Sequence, residues 1–360
     1  MHIYQSNITK YNQGVLMSKK TNKKVIILKY RAILATLLIL GTILFTWAEG
    51  VLSRGRDNAQ QITNVQEVLS PHQELEHANE TITPIMPAPS EEFVNETRPQ
   101  LVPLSQDYIQ QLMNFNYLTN RIFLVDPSTI LLPTDIDVKS FLQADLSIDT
   151  TVSGPQVLIF HTHSAEMFID SNPDFPMTGI MGVGAYLTHI LAEKYNIEVL
   201  HHTGRFDVPT RSGSYERMEP VITQILKDNP SIQVVIDLHR DGVHDHMPPF
   251  VTYIDGTRTA QIMFFNGLSR QHRNGQVVPL EWLYNPYQQE NLNFSLRLQL
   301  AANQLYPGIA RRVYLRAFRY SLHMAPLSTL VEVGNQHNTQ REAFNAMYPL
   351  ANIIAAVVGL

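Results

Sequence analysis

The chain has 360 residues, with 27 lysines and arginines against 32 aspartates and glutamates, and no cysteine. Its net charge of −5 excludes the basic footprint of a nucleic-acid binder. The lack of thiols excludes disulfides, thiolate metal sites and a cysteine nucleophile, so any metal must be held by histidine and carboxylate.

In chain order, residues 1–24 carry Lys19, Lys20, Lys23 and Lys24 and form an N-terminal segment expected on the cytoplasmic side. Residues 25–48 begin with "VIIL" and, after Lys29 and Arg31, continue as the uncharged "AILATLLILGTILFTWA". A membrane-spanning helix needs about 20 apolar residues and tolerates flanking lysine and arginine that snorkel to the interface. The basic residues precede the run and Glu49 follows it, so the positive-inside rule predicts a single-pass anchor in the cell membrane with the bulk of the chain outside. A cleaved signal peptide, with Thr46 and Ala48 at its cleavage site, is the competing reading. The run exceeds the apolar stretch of about 7–15 residues that such a peptide uses.

Residues 49–103 are rich in Gln, Glu, Asn, Ser and Pro and are predicted to be a disordered extracytoplasmic tether, because they bury too little apolar surface to order themselves. Residues 104–155 are read as an accessory segment: helical spacing at Tyr108, Ile109, Leu112 and Phe115, then "NRIFLV" and "TILLP" as short extended candidates. From 156 to 360 the pattern alternates. Strands are predicted at 156–160, 197–202, 232–238, 250–254, 260–265, 312–316 and 328–333, with helices at 183–195, 215–228, 288–304 and 340–356. Thr339 with Glu342 three residues later predicts a capping box at the start of the last helix. Near-continuous Val/Ile/Leu strands separated by amphipathic helices predict an α/β domain of three layers, a sheet covered by helices on both faces.

Active residues of an α/β sheet collect just beyond the carboxyl ends of its strands. Three stretches meet that rule here. "FHTHSAEMF" places His161, His163 and Glu166 after the first strand; "VVIDLHRDG" places Asp237, His239, Arg240 and Asp241 at the end of the most hydrophobic one; "TLVEVGN" sets Glu332 inside an apolar strand. Zinc in a hydrolytic site takes three protein ligands and leaves a fourth position for water, two histidines and a glutamate being a common set. His163 and Glu166 are three residues apart, the spacing of one helical turn, and His239 would be the third ligand. His161 and His163 lie two apart on one side of an extended segment, so either could be the ligand and the other a neighbouring or substrate contact. Burial of Glu332 would raise its pKa toward the range of a general base. Taken singly, each pattern has a plainer reading: a chance His-x-His, a structural Asp237–His239 pair, or a Glu332 salt-bridged to Arg240 or another arginine. His201, His202, His244, His246 and His272 read as loop or surface residues, and His323 as one that could reach the site.

With these residues in hand, the sequence resembles the stage II sporulation protein P family of bacterial cell-wall hydrolases. The resemblance is carried by "PQVLIFHTHSAEMF" (155–168), "GSYERM" (213–218), "VVIDLHRDG" (234–242), "QIMFFNG" (261–267) and "TLVEVGNQHNTQREA" (329–343). It implies a zinc-dependent N-acetylmuramoyl-L-alanine amidase with a mixed-sheet fold similar to zinc carboxypeptidases and a second ability to cut peptide cross-links. It further implies action on septal peptidoglycan during engulfment, alongside a stage II sporulation protein D-like lytic transglycosylase. Residue by residue, it implies zinc ligands at His163, Glu166 and His239 and a catalytic Glu332. In the mechanism expected of such a site, Arg240 or a backbone amide beside it would help stabilise the tetrahedral oxyanion. His337, Arg341, the tether and the first 16 residues depart from the family pattern. Two other readings are a non-catalytic peptidoglycan-binding scaffold, and a metal-dependent amidohydrolase or phosphoesterase barrel in which His161 and His163 are joint ligands. The domain is short for a barrel of about 250 residues.

Overall fold

A computed structural model describes Arg98 and residues 100–360. The chain divides into two units, Met1–Ile82 and Thr83–Leu360, and every described residue belongs to the second. The expected span at 25–48 lies outside the described residues, as does most of the expected tether. Among the described residues no helix is long and apolar enough to cross a membrane.

The strands, in chain order, are β1 Phe123–Val125, β2 Val157–Phe160, β3 Val199–His201, β4 Val234–Asp241, β5 Val251–Ile254, β6 Thr257–Ala260, β7 Ile262–Gly267, β8 Arg270–Arg273, β9 Gln276–Pro279, β10 Ala310–Arg316 and β11 Ser328–Asn335. Six helices matter here: α1 Gln106–Leu112, α2 Val138–Gln143, α3 Ile180–Tyr195, α4 Ser214–Asp228, α5 Gln288–Leu305 and α6 Gln340–Val357. Seven strands form one sheet in the order β1-β10-β7-β11-β4-β2-β3, and β5–β6 and β8–β9 are separate hairpins. The run β11-β4-β2-β3 is parallel. β7 lies antiparallel to β11 and parallel to β10, which is parallel to β1. This is a mixed α/β fold with an open sheet, which removes the barrel reading.

Alternation along the strands splits the sheet into two unequal faces. Val157, Ile159, Val234, Ile236, Leu238, Phe264, Val331 and Val333 point into the main core, where they meet α3, α5 and α6. Leu158, Phe160 and Val235 point the other way, onto Met218 and Ile222 of α4. Beside them, Phe265 and Leu330 are covered by Leu322, Tyr314 and Tyr320 rather than by a helix. Helices thus flank both faces, three on one and α4 on the other. α6 starts with the expected box: Thr339 accepts from the Glu342 amide and Glu342 accepts from the Thr339 amide, each at 3.2 Å, a cap worth about 1 kcal/mol.

Segment 104–155 is built into this domain. β1 is the edge strand of the sheet, and Leu112, Leu118, Ile122, Phe123 and Phe141 are buried in the main core. From α5, Arg297 Nη1 donates to the carbonyls of Phe141, Leu142 and Ala144 at 3.2, 3.4 and 3.2 Å, which ties the end of α2 to the helix layer. The helical spacing and "FLV" were legible; their membership of the sheet was not, because strand pairing spans almost two hundred residues of chain. Phe123→Ala is expected to lower stability by about 3–5 kcal/mol through loss of a fully buried ring, read by urea unfolding of the full chain. An unchanged midpoint would restore the accessory reading.

Candidate functional site

The site is organised by Asp237, a carboxylate 1% exposed in the middle of β4. Its Oδ1 accepts from the Thr162 amide at 2.9 Å, and its Oδ2 accepts from the hydroxyls of Thr162 at 2.7 Å and Ser321 at 2.8 Å. His239, two residues on and on the same face, places Nε2 2.6 Å from Oδ1. One carboxylate thus joins the β2 exit, the loop before β11 and an imidazole. Burial alone would push Asp237 up, but the adjacent His239 and the donors from Thr162 outweigh it, and its pKa is lowered.

The "HTH" stretch divides at the strand end. Continuing the alternation of β2, His161 points into the α3 face, away from Asp237 and His239. Its Nδ1 donates to the Leu238 carbonyl at 2.7 Å, so its Nε2 is the acceptor for His201 Nε2 at 2.8 Å. Burial lowers the pKa of His161 to about 4 and that of His201 to about 3, which keeps the pair neutral. A Cβ at Gly184 of α3 would stand 2.6 Å from His161 Nε2, so only glycine lets the helix sit on the pair. The two histidines of the motif therefore do not share a side, and His201 is a strand residue rather than a surface one. Beyond β2 the chain turns, fixed by Asp207, which accepts from Ser164 Oγ at 2.7 Å and the Ala165 amide at 3.0 Å. That turn carries His163 to the Asp237 face, where its ring meets His239 edge-on at 5.4 Å between centroids and Tyr215 at 5.7 Å. His163 Nδ1 is buried without a partner among the described residues.

Glu166 completes the group. Its Oε1 accepts from Arg211 Nη2 at 2.9 Å, and its Oε2 accepts from the Arg240 amide at 2.9 Å and lies 3.4 Å from His239 Nδ1. Burial opposes its ionisation, yet His239, Arg211 and the Arg240 amide hold its pKa down at about 2. Three groups of Arg240 are engaged here: its amide donates to Glu166, its Nε to the Met167 carbonyl at 2.8 Å and its Nη1 to the Asp241 carbonyl at 3.1 Å. The oxyanion contact expected of it is therefore not available from these groups.

Glu332 lies on β11 directly beside His239 on β4. Glu332 is half-buried, but its Oε2 is sealed from solvent and has no partner among the described residues. Burial, with Glu166 and Asp241 adding to it against His239 and Arg311, pushes its pKa up to about 8. Register shifts in β10 after Arg311 and in β11 after Glu332 adjust the row. Arg311 comes into register with Met263, the β7 partner of Glu332, and pairs with Asp241 at 2.9 Å. Neither Arg240 nor Arg311 forms a salt bridge with Glu332. His323 pairs instead with Glu219 at 3.1 Å, and His244 and His246 stack on each other at 5.6 Å in an exposed turn.

Two imidazoles and one carboxylate match the donor chemistry of a hydrolytic zinc site. Among the described residues no three such groups are gathered at metal-binding spacing, but the pieces fit the ion. His163 offers an unpartnered Nδ1. The Asp237 and Glu166 carboxylates hold His239 as a cation, its pKa raised well above the ordinary value despite burial. The proton on Nδ1 thus fills a position that favours positive charge, and the Nε2 contact to Asp237 is the carboxylate–histidine arrangement that orients metal ligands.

Residues 55–355 match the family model for stage II sporulation protein P. The chain belongs to that family. The match starts inside the 49–103 stretch, so most of the tether region has a family counterpart after all. A stage II sporulation protein P of Bacillus subtilis (strain 168) is 22% identical over 240 residues, 59% of this chain and 53% of the relative, so the matched part spans about half of the relative's length. Among solved structures, the N-acetylmuramoyl-L-alanine amidase AmiC2 of Nostoc punctiforme is 17% identical, covering 58% of this chain and 100% of that one at a TM-score of 0.34. The CwlD amidase of Clostridioides difficile, solved with the GerS lipoprotein, is 14% identical, covering 57% and 95% at a TM-score of 0.35. A metallo-carboxypeptidase of Burkholderia cenocepacia is 11% identical, covering 59% and 60% at a TM-score of 0.31.

Asp207, Arg211, Tyr215 and Ser321 were missed as individual residues by sequence reasoning. Tyr215 sat inside a quoted motif without a role; the others are common polar residues in loops, with no periodic signal to mark them. If Asp237 orients His239 as a ligand, Asp237→Asn is expected to weaken zinc affinity about 10–100-fold, measured by competition with a chromophoric chelator. Unchanged affinity would remove Asp237 from the metal site.

Proposed function

We propose that the domain is a zinc-dependent peptidoglycan hydrolase that cleaves the amide between N-acetylmuramic acid and L-alanine, acting on septal peptidoglycan during sporulation. The observation that carries the reading is the convergence of His163, Glu166 and His239 on one face of the sheet, with the partnerless Glu332 carboxylate in register beside His239. Zinc held by those three residues would supply Lewis-acid polarisation of the carbonyl and acidify a water to a pKa of about 7. Glu332 takes the attacking water's proton and returns it to the leaving amine. Its pKa of about 8 is that of the protein without a cation; a nearby dication favours the ionised form and brings the carboxylate into its basic state. Asp237 holds His239 in position, Arg211 and the Arg240 amide fix Glu166, and Asp207 fixes the turn that delivers His163.

Support for the substrate comes from family membership and the donor set together. A second activity on peptide cross-links and a stage II sporulation protein D-like partner rest on the family resemblance alone. The single-pass anchor and the extracytoplasmic location rest on the charge pattern around 25–48. A scaffold that had lost catalysis would lack a ligand or the base, and all four residues are present.

Digestion of purified peptidoglycan by the full chain is expected to release free stem peptides and denuded glycan, identified by mass spectrometry. EDTA, His239→Ala and Glu332→Gln should each reduce release by at least about 10²-fold, in line with the contribution of a general base. Cleavage that persists in the Glu332→Gln protein would contradict the assignment.

A further inference from the structure

With the amide, Nε and Nη1 of Arg240 engaged elsewhere, none of those three groups meets the oxygen that gains charge when water adds to a carbonyl, where a protein donor would add to the polarisation a metal supplies. One side chain fills that gap. Tyr215, in the first turn of α4, has its ring edge-on to His163 at 5.7 Å, with an interplanar angle of 90°, and against Tyr320 at 5.6 Å. The two rings clamp it between a proposed ligand and the loop that also supplies Ser321 to Asp237. Tyr320 has a left-handed φ of 52°, a conformation that non-glycine residues adopt at a cost and that tends to mark sites where the surroundings enforce it. Tyr320 in turn packs on Phe265 at 4.7 Å, so the clamp is anchored in the sheet.

The Tyr215 hydroxyl has no hydrogen-bond partner among the described residues. Tyr215 is half-buried, and its hydroxyl is not among the unpartnered atoms sealed from solvent. Its electrostatic neighbours are Asp237, Tyr320, Glu332 and Glu166, and burial first, then these groups, raise its pKa well above the ordinary value. As a phenol it carries an O–H that can donate. Tyr320 is the other phenol nearby, and its charged neighbours are Arg316 and Asp126 as well as Glu332.

We infer that Tyr215 is a catalytic residue of this site, its hydroxyl donating a hydrogen bond to the carbonyl oxygen of the scissile amide as that oxygen becomes an oxyanion. The inference rests on the hydrolase reading above. Water's oxygen bonds to the carbonyl carbon, the carbon–oxygen π pair moves onto oxygen, and Tyr215 stabilises that charge while keeping its proton. The C–N bond then breaks, with the amine protonated from Glu332.

Removal of a single oxyanion donor typically costs about 10²–10³ in turnover. In the full chain, Tyr215→Phe is expected to lower kcat by about that factor on soluble muropeptides, with KM changed less than about threefold. Zinc content and thermal midpoint should match the parent protein, because the ring and its packing remain. Calorimetry with a phosphinate analogue of the lactyl amide should show a comparable loss of affinity, whereas an unreactive ground-state ligand should bind as before. An unchanged kcat, or a change in KM alone, overturns the inference. Glu332→Gln run in parallel separates the two readings: if it abolishes cleavage while Tyr215→Phe does not, only the role of Tyr215 falls. If both variants cleave like the parent, the site itself falls.

Discussion

The candidate site of this domain is organised by the buried carboxylate of Asp237. An ionised group so deep in an apolar sheet is tolerated only when its oxygens are satisfied, and here the donors come from three separate pieces of chain: Thr162 after β2, Ser321 before β11, and His239 on β4 itself. Meeting that electrostatic demand fixes the positions of those pieces relative to each other. The same demand fixes one nitrogen of His239 and leaves the other facing Glu166. A structural requirement of folding thus becomes an orientation of the chemistry.

The unequal faces of the sheet explain where this can happen. Three helices seal the face that holds the main core. On the opposite face α4 covers only part of the sheet, and a loop bearing Tyr320 and Leu322 packs on Phe265 and Leu330 beside it. Between those covers, the carboxyl ends of β2 and β4 and the neighbouring stretch of β11 present His163, His239 and Glu332 together. β7 runs antiparallel to β11, which places the parallel half of the sheet, with its converging strand ends, on one side of that junction.

Much of this was legible in the sequence. The strands at 156–160, 232–238 and 328–333 and the helix at 340–356 declare themselves by apolar runs and a capping box, and three polar motifs at strand ends marked the site. Three things were not legible. His161 and His163 look equivalent in "HTH", and only the turn held by Asp207 sends them to opposite faces. His201 looks like a loop residue until β3 is paired with β2. β1 is too short to announce its partner, since pairing with β10 is decided by contacts far apart in the chain. In each case the missing information is tertiary: which neighbour a strand chooses, or where a buried acid fixes a turn.

The central claim is that His163, Glu166 and His239, rather than the His161–His201 pair beneath α3, hold a zinc ion next to Glu332. Anomalous scattering at the zinc edge from crystals of the zinc-loaded protein tests it most directly. The account predicts a single strong peak in contact with His163, Glu166 and His239. A peak between His161 and His201, or none at the Asp237 face in protein that binds zinc stoichiometrically, would contradict it.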